Sequence, residues 1–191
     1  MASFTQAFEL AEQQVNAKGA KFCPLSSKGE RVHLTLGSRD APLQTQWGPS
    51  SFDASSTSTR CNFDFVCDEK LTQQLQQVDT WAKAYIEKHS QRLFGKVLTA
   101  QQVNDNDKPI LIERGSYPSQ LRCKINMAGS KQVRCWDENG QPRPPPQDWK
   151  NCKFVARVNL SHLWLMSREM GWVVNITDLQ IFEDQWVCPF M

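Results

Sequence analysis

Two stretches of this chain alternate apolar and polar residues one by one, a pattern a polypeptide satisfies as a strand with one dry and one wet face. In the first, 119–126, Leu121, Cys123 and Ile125 alternate with Arg122, Lys124 and Asn126. In the second, Phe154, Ala156, Val158 and Leu160 share one side, with Lys153, Arg157, Asn159 and Ser161 on the other. Both wet faces carry cations. A half-buried sheet with such a face suits a flexible polyanion, and single-stranded nucleic acid is the polyanion expected when aromatic residues lie among the charges.

The rest of the chain is read around these strands. Phe4, Phe8, Ala11 and Val15 fit a short amphipathic helix ended by Gly19. Residues 31–36 alternate as a strand, and 44–47 form a second short one inside a Pro-, Gly- and Ser-rich connection, 37–60, that ends in a polar loop, 50–60. Residues 61–67 make the next strand, with Phe63 and Phe65 inward. Asp68 then caps a long helix whose apolar stripe is Leu71, Leu75, Val78, Ala82, Tyr85, His89 and Leu93, stopped by Gly95. On that stripe His89 reads as a packed side chain. A helical turn is expected over 98–103 and strands over 108–112 and 131–136.

Asn139-Gly140 and four prolines make 137–150 an exposed, partly polyproline-like loop. Two long strands, 152–166 and 172–182, close the chain, and each shifts phase, near His162 and near Asp178. Such shifts mark bulges, which strands need when a sheet curls. Short strands, one long helix and then curved strands give the expected fold class: mainly β with one long helix (α+β), an OB-fold-like five-stranded Greek-key barrel. The domain plan is a single OB-fold-like domain over 1–191, with 1–30 an N-terminal extension and 184–191 a short C-terminal tail.

Charge supports the polyanion reading through its distribution, since the net charge is only +2. Residues 108–157 hold ten Lys/Arg against four Asp/Glu, while no basic residue follows Arg168. Phosphate capture falls to Arg122, Lys124, Arg134, Lys153 and Arg157, and base stacking to Tyr117, Trp136, Trp149 and Trp172. Trp81 and Trp164 are expected in the core.

Other chemistries lack their residues. Seven cysteines form no CxxC pair, which removes zinc-ribbon and thioredoxin-like motifs. They read instead as small buried hydrophobes in a reducing compartment. His33, His89 and His162 are scattered, and no phosphate loop of the GxxxxGK or GxGxxG type occurs. Asp64, Asp68 and Glu69 straddle a strand end and a helix cap, where carboxylates are at home. The chain is therefore read as no enzyme, with no catalytic residue, no metal ligand and no cofactor. Glu9 and Glu12 interrupt any secretory signal, and no apolar run approaches the roughly 20 residues that cross a bilayer. The expected location is intracellular, cytoplasmic or nuclear, not secreted and without membrane attachment.

One further signal is a resemblance. The helix from Val78-Asp79-Thr80-Trp81 to Phe94-Gly95-Lys96 precedes Tyr117-Pro118-Ser119-Gln120-Leu121-Arg122-Cys123-Lys124-Ile125, then Leu163-Trp164 and Gly171. Over about 32–182 this resembles the single-stranded DNA-binding proteins of nucleocytoplasmic large DNA viruses and related algal proteins, which are similar to the OB-fold single-strand binders of short-tailed phages. The resemblance implies sequence-independent coating of single-stranded DNA in replication, recombination or repair, at a viral replication site if the protein is viral. Replication proteins and a homodimer partner are its implied associates. Phage members end in a long acidic tail, whereas this chain ends in Glu183, Asp184, Gln185 and Trp186 followed by Cys188-Pro189-Phe190-Met191. The residues leave two alternatives open: an RNA-binding OB or cold-shock-like module, and a structural or virion interaction protein docking through its Pro-rich loop, 142–146.

Overall fold

The computed structural model describes residues 7–51, 59–166 and 169–183. Phe4, most of the loop 50–60 and the tail 184–191 lie outside them. The elements in chain order are β1 (Phe8–Leu10), β2 (Gln14–Val15), β3 (Lys21–Ser27), β4 (Val32–Leu36), β5 (Leu43–Gln44), β6 (Arg60–Val66), α1 (Glu69–Phe94) and α2 (Ala100–Asn106). There follow β7 (Asp107–Lys108), β8 (Leu111–Ile112), β9 (Gln120–Asn126), β10 (Arg134–Trp136), β11 (Pro142–Arg143), β12 (Cys152–Met166) and β13 (Glu169–Glu183). The molecule is mainly β with one long helix, as expected. Among the described residues it has thirteen strands and two helices, more elements than the expected five-stranded plan with one helix.

The last two strands organise the rest. β12 and β13 pair antiparallel from Cys152↔Glu183 to Met166↔Glu169, with register shifts at Arg157/Val158 and Leu160/His162. These are the two phase shifts visible in the sequence. Each extra residue bends the strand, so β12 meets β5, β4 and β3 in turn along its other edge. β5 pairs with β6, β6 with β9, and β9 runs parallel to β13, so the pairings close a ring back onto β12. Two joints of that ring are single residue pairs, Gln44↔Val66 and Lys124↔Asn175.

The dry sides of these strands meet in one core. Phe63, Phe65, Leu121, Cys123, Ile125, Phe154, Ala156, Leu160, Leu163 and Leu179 are buried. Phe63 sits edge-on to Phe65, Trp149 and Phe154, with ring centroids 5.0, 5.2 and 5.7 Å apart. Each such pair adds about 0.5–1.5 kcal/mol to the area it buries.

Helix α1 forms where the sequence places it. Asp68 accepts from Leu71 N–H at 2.7 Å, and Gly95 closes the helix at φ 70°, a left-handed value that glycine adopts without a Cβ penalty. Its buried stripe runs through Ile86 and Ser90, not Tyr85 and His89. His89 is half-buried, its ring 4.4 Å from that of Tyr85. No helix among the described residues is long and apolar enough to cross a membrane.

The N-terminal helix is replaced by strands. Phe8 and Leu10 are buried with Glu9 exposed between them, and β1 pairs with β3 from Phe8↔Ser27 to Leu10↔Leu25. Phe8 fits both a three-to-four-residue and a two-residue period, and a short isolated helix is marginal in water. The partner strand decides. β3 gives a weak signal because Pro24 interrupts it, and proline lacks the N–H a ladder needs. The proline loop is likewise less open than expected. Pro142 and Arg143 pair with β10, and Pro146 is buried.

Candidate nucleic-acid interface

Residues directly opposite one another in neighbouring strands point to the same face, so the registers decide which side chains meet. On β9 the wet side carries Arg122 and Lys124, opposite Asp64 and Asn62 of β6. Lys124 is level with Asn175 of β13. Across to β12, Asn175 faces Asn159, Asp178 faces Arg157, and Phe182 faces Lys153. On the other edge of β13, Asp178 is level with Arg134 and Gln180 with Trp136. Leu121, Cys123, Cys135, Phe154, Ala156, Val158, Ile176 and Leu179, which alternate with these, are buried. Arg122, Lys124, Arg134, Trp136, Lys153 and Arg157 therefore share one continuous wet face. The bulge at Thr177 makes this so: strict alternation from Asn175 would have turned Asp178 inward.

That face is not a plain row of cations. Arg122 is gripped by Asp64, with Nε to Oδ1 at 2.9 Å and Nη2 to Oδ2 at 2.7 Å, and this hydrogen bonding raises its pKa above the ordinary arginine value. Lys124 donates to Asn62 Oδ1, while burial, then Arg60 and Arg122, hold its ammonium below the ordinary lysine value. Arg134 Nε lies 2.8 Å from Asp178 Oδ1, and Trp136 Nε1 donates to the same oxygen at 3.3 Å. Burial pushes Asp178 up, but the bonds from Arg134, Thr177 and Trp136 outweigh it and leave the carboxyl below its usual range. Arg157 enters no ion pair among the described residues. The result is cations interleaved with carboxylates, in which guanidinium planes are fixed before any ligand arrives.

The aromatics divide. Tyr117, just before β9, is 69% exposed. Trp136 is half-buried on the wet face. Trp149 is only 9% exposed and packs on Phe63 and Phe154, so it belongs to the core and offers no open ring face. Trp172 sits with helix α1, its ring stacked on Trp81 and its Nε1 donating to Asp79 at 3.1 Å. Trp164, expected in the core, is half-buried, and its partner Gly171 has no side chain to separate them.

Sequence reading also missed two residues. Arg60, level with Asn126, donates from Nη2 to Asn175 Oδ1 at 3.0 Å and so belongs to the same face. The two-residue step through Arg60, Asn62 and Asp64 carried that signal. Trp47 is 64% exposed with Lys150 Nζ 5.2 Å from its ring centre, and nothing local marks it. Among the described residues no group of three or more His, Cys, Asp or Glu could hold a metal ion.

No protein-family model and no curated protein sequence matches the chain. Solved structures do resemble it. The single-stranded DNA-binding protein of bacteriophage Enc34 in complex with single-stranded DNA aligns over 92% of this chain and 96% of its own, with 7% identity and a TM-score of 0.52. A C-terminal truncation of the same phage protein aligns over 93% and 97%, with 6% identity and a TM-score of 0.51. At such identity the likeness is one of fold. The chain shares the overall fold of this phage protein, and the likeness gives no support to the large-DNA-virus family that the motifs at 94–96 and 117–125 resemble.

Proposed function

We propose that this protein binds single-stranded DNA without sequence preference, as a nonenzymatic coat in replication, recombination or repair. The observation that carries the reading is the single wet face on which the registers gather Arg122, Lys124, Arg134, Trp136, Lys153 and Arg157. The fold likeness to a phage protein solved with single-stranded DNA supports it. In this reading the ring of strands is an OB-type five-stranded Greek-key barrel within one domain over 1–191. Residues 1–30 are its extension and 184–191 a short C-terminal tail, and replication proteins or a second copy are its further partners. The protein acts inside the cell, in cytoplasm or nucleus.

Phosphates follow Arg60, Lys124, Arg157 and Lys153, and touch Arg122 and Arg134 at the guanidinium N–H groups their carboxylates leave open. Bases stack on Tyr117 and Trp136, each such contact being worth about 1–3 kcal/mol. Asp64 and Asp178 oppose the polyanion, which keeps binding reversible. Trp149 and Trp172 take no part.

The test is titration with oligothymidine while tryptophan emission and ligand anisotropy are followed, with duplex DNA as control and oligouridine as competitor. Quenching together with binding that weakens steeply with salt supports the reading. Salt-insensitive binding, or equal affinity for duplex, sinks it.

A further inference from the structure

Beyond the cationic part of the wet face, the β12–β13 hairpin carries an aromatic seat that the cationic reading does not use. Leu163 is buried, so its neighbours His162 and Trp164 point to the wet side, in register with Val173 and Gly171 of β13. On the opposite edge of β12, Trp164 is level with Phe22 and His162 with Pro24 of β3. A Cβ built on Gly171 would lie 2.8 Å from Trp164 Cζ2, 2.9 Å from Cε2 and 3.0 Å from Nε1. The indole therefore lies across the backbone of Gly171, close enough that any side chain there would displace it. Gly171 is buried beneath it while Trp164 itself remains partly open.

Two further observations bear on this ring. The indole N–H of Trp136 is tied to Asp178 and that of Trp172 to Asp79, whereas Trp164 Nε1 has no hydrogen-bond partner among the described residues. Phe22 and His162 meet edge-on, with ring centroids 5.1 Å apart, beside it. Arg60, which is bonded to Asn175, is near enough to His162 to add to the burial that keeps the imidazole below its ordinary pKa, so the seat adjoins a cation.

We propose that Trp164, resting on Gly171 and flanked by Phe22 and His162, is a stacking platform for a nucleobase of the bound strand, further along the β12–β13 hairpin from the phosphate contacts of Arg60 and Lys124. One ring face is fixed against the sheet, so little freedom remains to be lost when a base covers the other. Its N–H, without a partner among the described residues, offers a donor to a base edge. The proposal rests on the single-strand-binding reading above and adds a subsite to it.

The test compares two labelled ligands of equal length and charge, oligothymidine and an abasic phosphodiester oligomer. Trp164→Ala lowers oligothymidine affinity about tenfold and leaves abasic affinity unchanged. Gly171→Ala, whose Cβ pushes the indole off its seat, shows the same base-dependent loss, and Trp164→Phe recovers part of it. Thermal melting accompanies each variant, and if Trp164→Ala does not fold, the other two carry the comparison. Equal losses on both ligands would make Trp164 a structural cover for Gly171 and overturn the proposal, as would full oligothymidine affinity in all three variants. A wild-type protein that binds neither ligand overturns the single-strand-binding reading itself.

Discussion

At the scale of single residues, charge on the wet face is governed by partners far away in sequence. Arg122 looks like a free cation in its own strand, but Asp64 of β6 already occupies it. Arg134 is held in the same way by Asp178. In the proposed complex, the salt dependence of single-strand binding reports this difference. Each phosphate contact on a single strand contributes about 0.7 to the slope of log affinity against log salt. Arg157→Ala should reduce the slope by about that amount, and Arg134→Ala by less, because Asp178 has taken part of its charge; equal reductions would show that the internal pair opens fully on binding. A second residue-scale expectation concerns Asp79 beneath Trp172. Burial pushes its carboxyl up from 3.8 to about 6, with hydrogen bonds from Ile110 N–H and the Trp172 indole, and Lys83, only partly offsetting it, while Asp107 adds to the rise. A raised carboxyl favours the folded state when protonated. Its contribution is complete below about pH 3.8 and is lost as pH rises through about 6. Asp79→Asn removes that loss, on the order of 2–3 kcal/mol, so the stability difference between variant and wild type, measured by urea unfolding, should grow in the variant's favour between pH 4 and pH 6. A difference independent of pH would mean that Asp79 does not titrate there.

At the scale of elements, α1 was readable because its determinants are local. A capping aspartate, an apolar stripe and a terminal glycine lie within one segment, and the structure uses all three. Asp68→Ala should therefore destabilise by about 1 kcal/mol in chemical denaturation, while leaving the strands' spectroscopic signature in place. The stripe's drift from Tyr85 and His89 to Ile86 and Ser90 has a tertiary cause. Ser90 Oγ accepts the Leu98 N–H at 3.0 Å, so a polar residue is buried because the returning chain needs an acceptor there. The bulges of β12 and β13 were readable for the same local reason as the caps, since each breaks the two-step alternation where it occurs. β1 and β2 were not. Their residues satisfy two periods, and only β3, itself masked by Pro24, selects the strand.

At the scale of the whole molecule, the ring of pairings closes on one continuous core, with Phe154 at the centre of its aromatic cluster. Phe154→Ala should lower stability by about 3–5 kcal/mol, with tryptophan emission and far-UV circular dichroism lost in one transition. Separate transitions would mean that the N-terminal strands form a unit of their own. Residue order alone specified which faces are dry, where the long helix starts and stops, where the last strands bend, and that cations alternate with core residues on β9 and β12. Those properties follow from each residue's near neighbours through the fixed two-residue and 3.6-residue periods of the backbone. It took the assembled fold to place Asp64 and Asp178 among the arginines, to seal Trp149 in the core, to join Trp172 to the helix, and to rest a half-buried Trp164 on Gly171. Those outcomes depend on which distant strands become neighbours, and ring closure brings together residues whose side chains hold no record of one another until the sheet has formed.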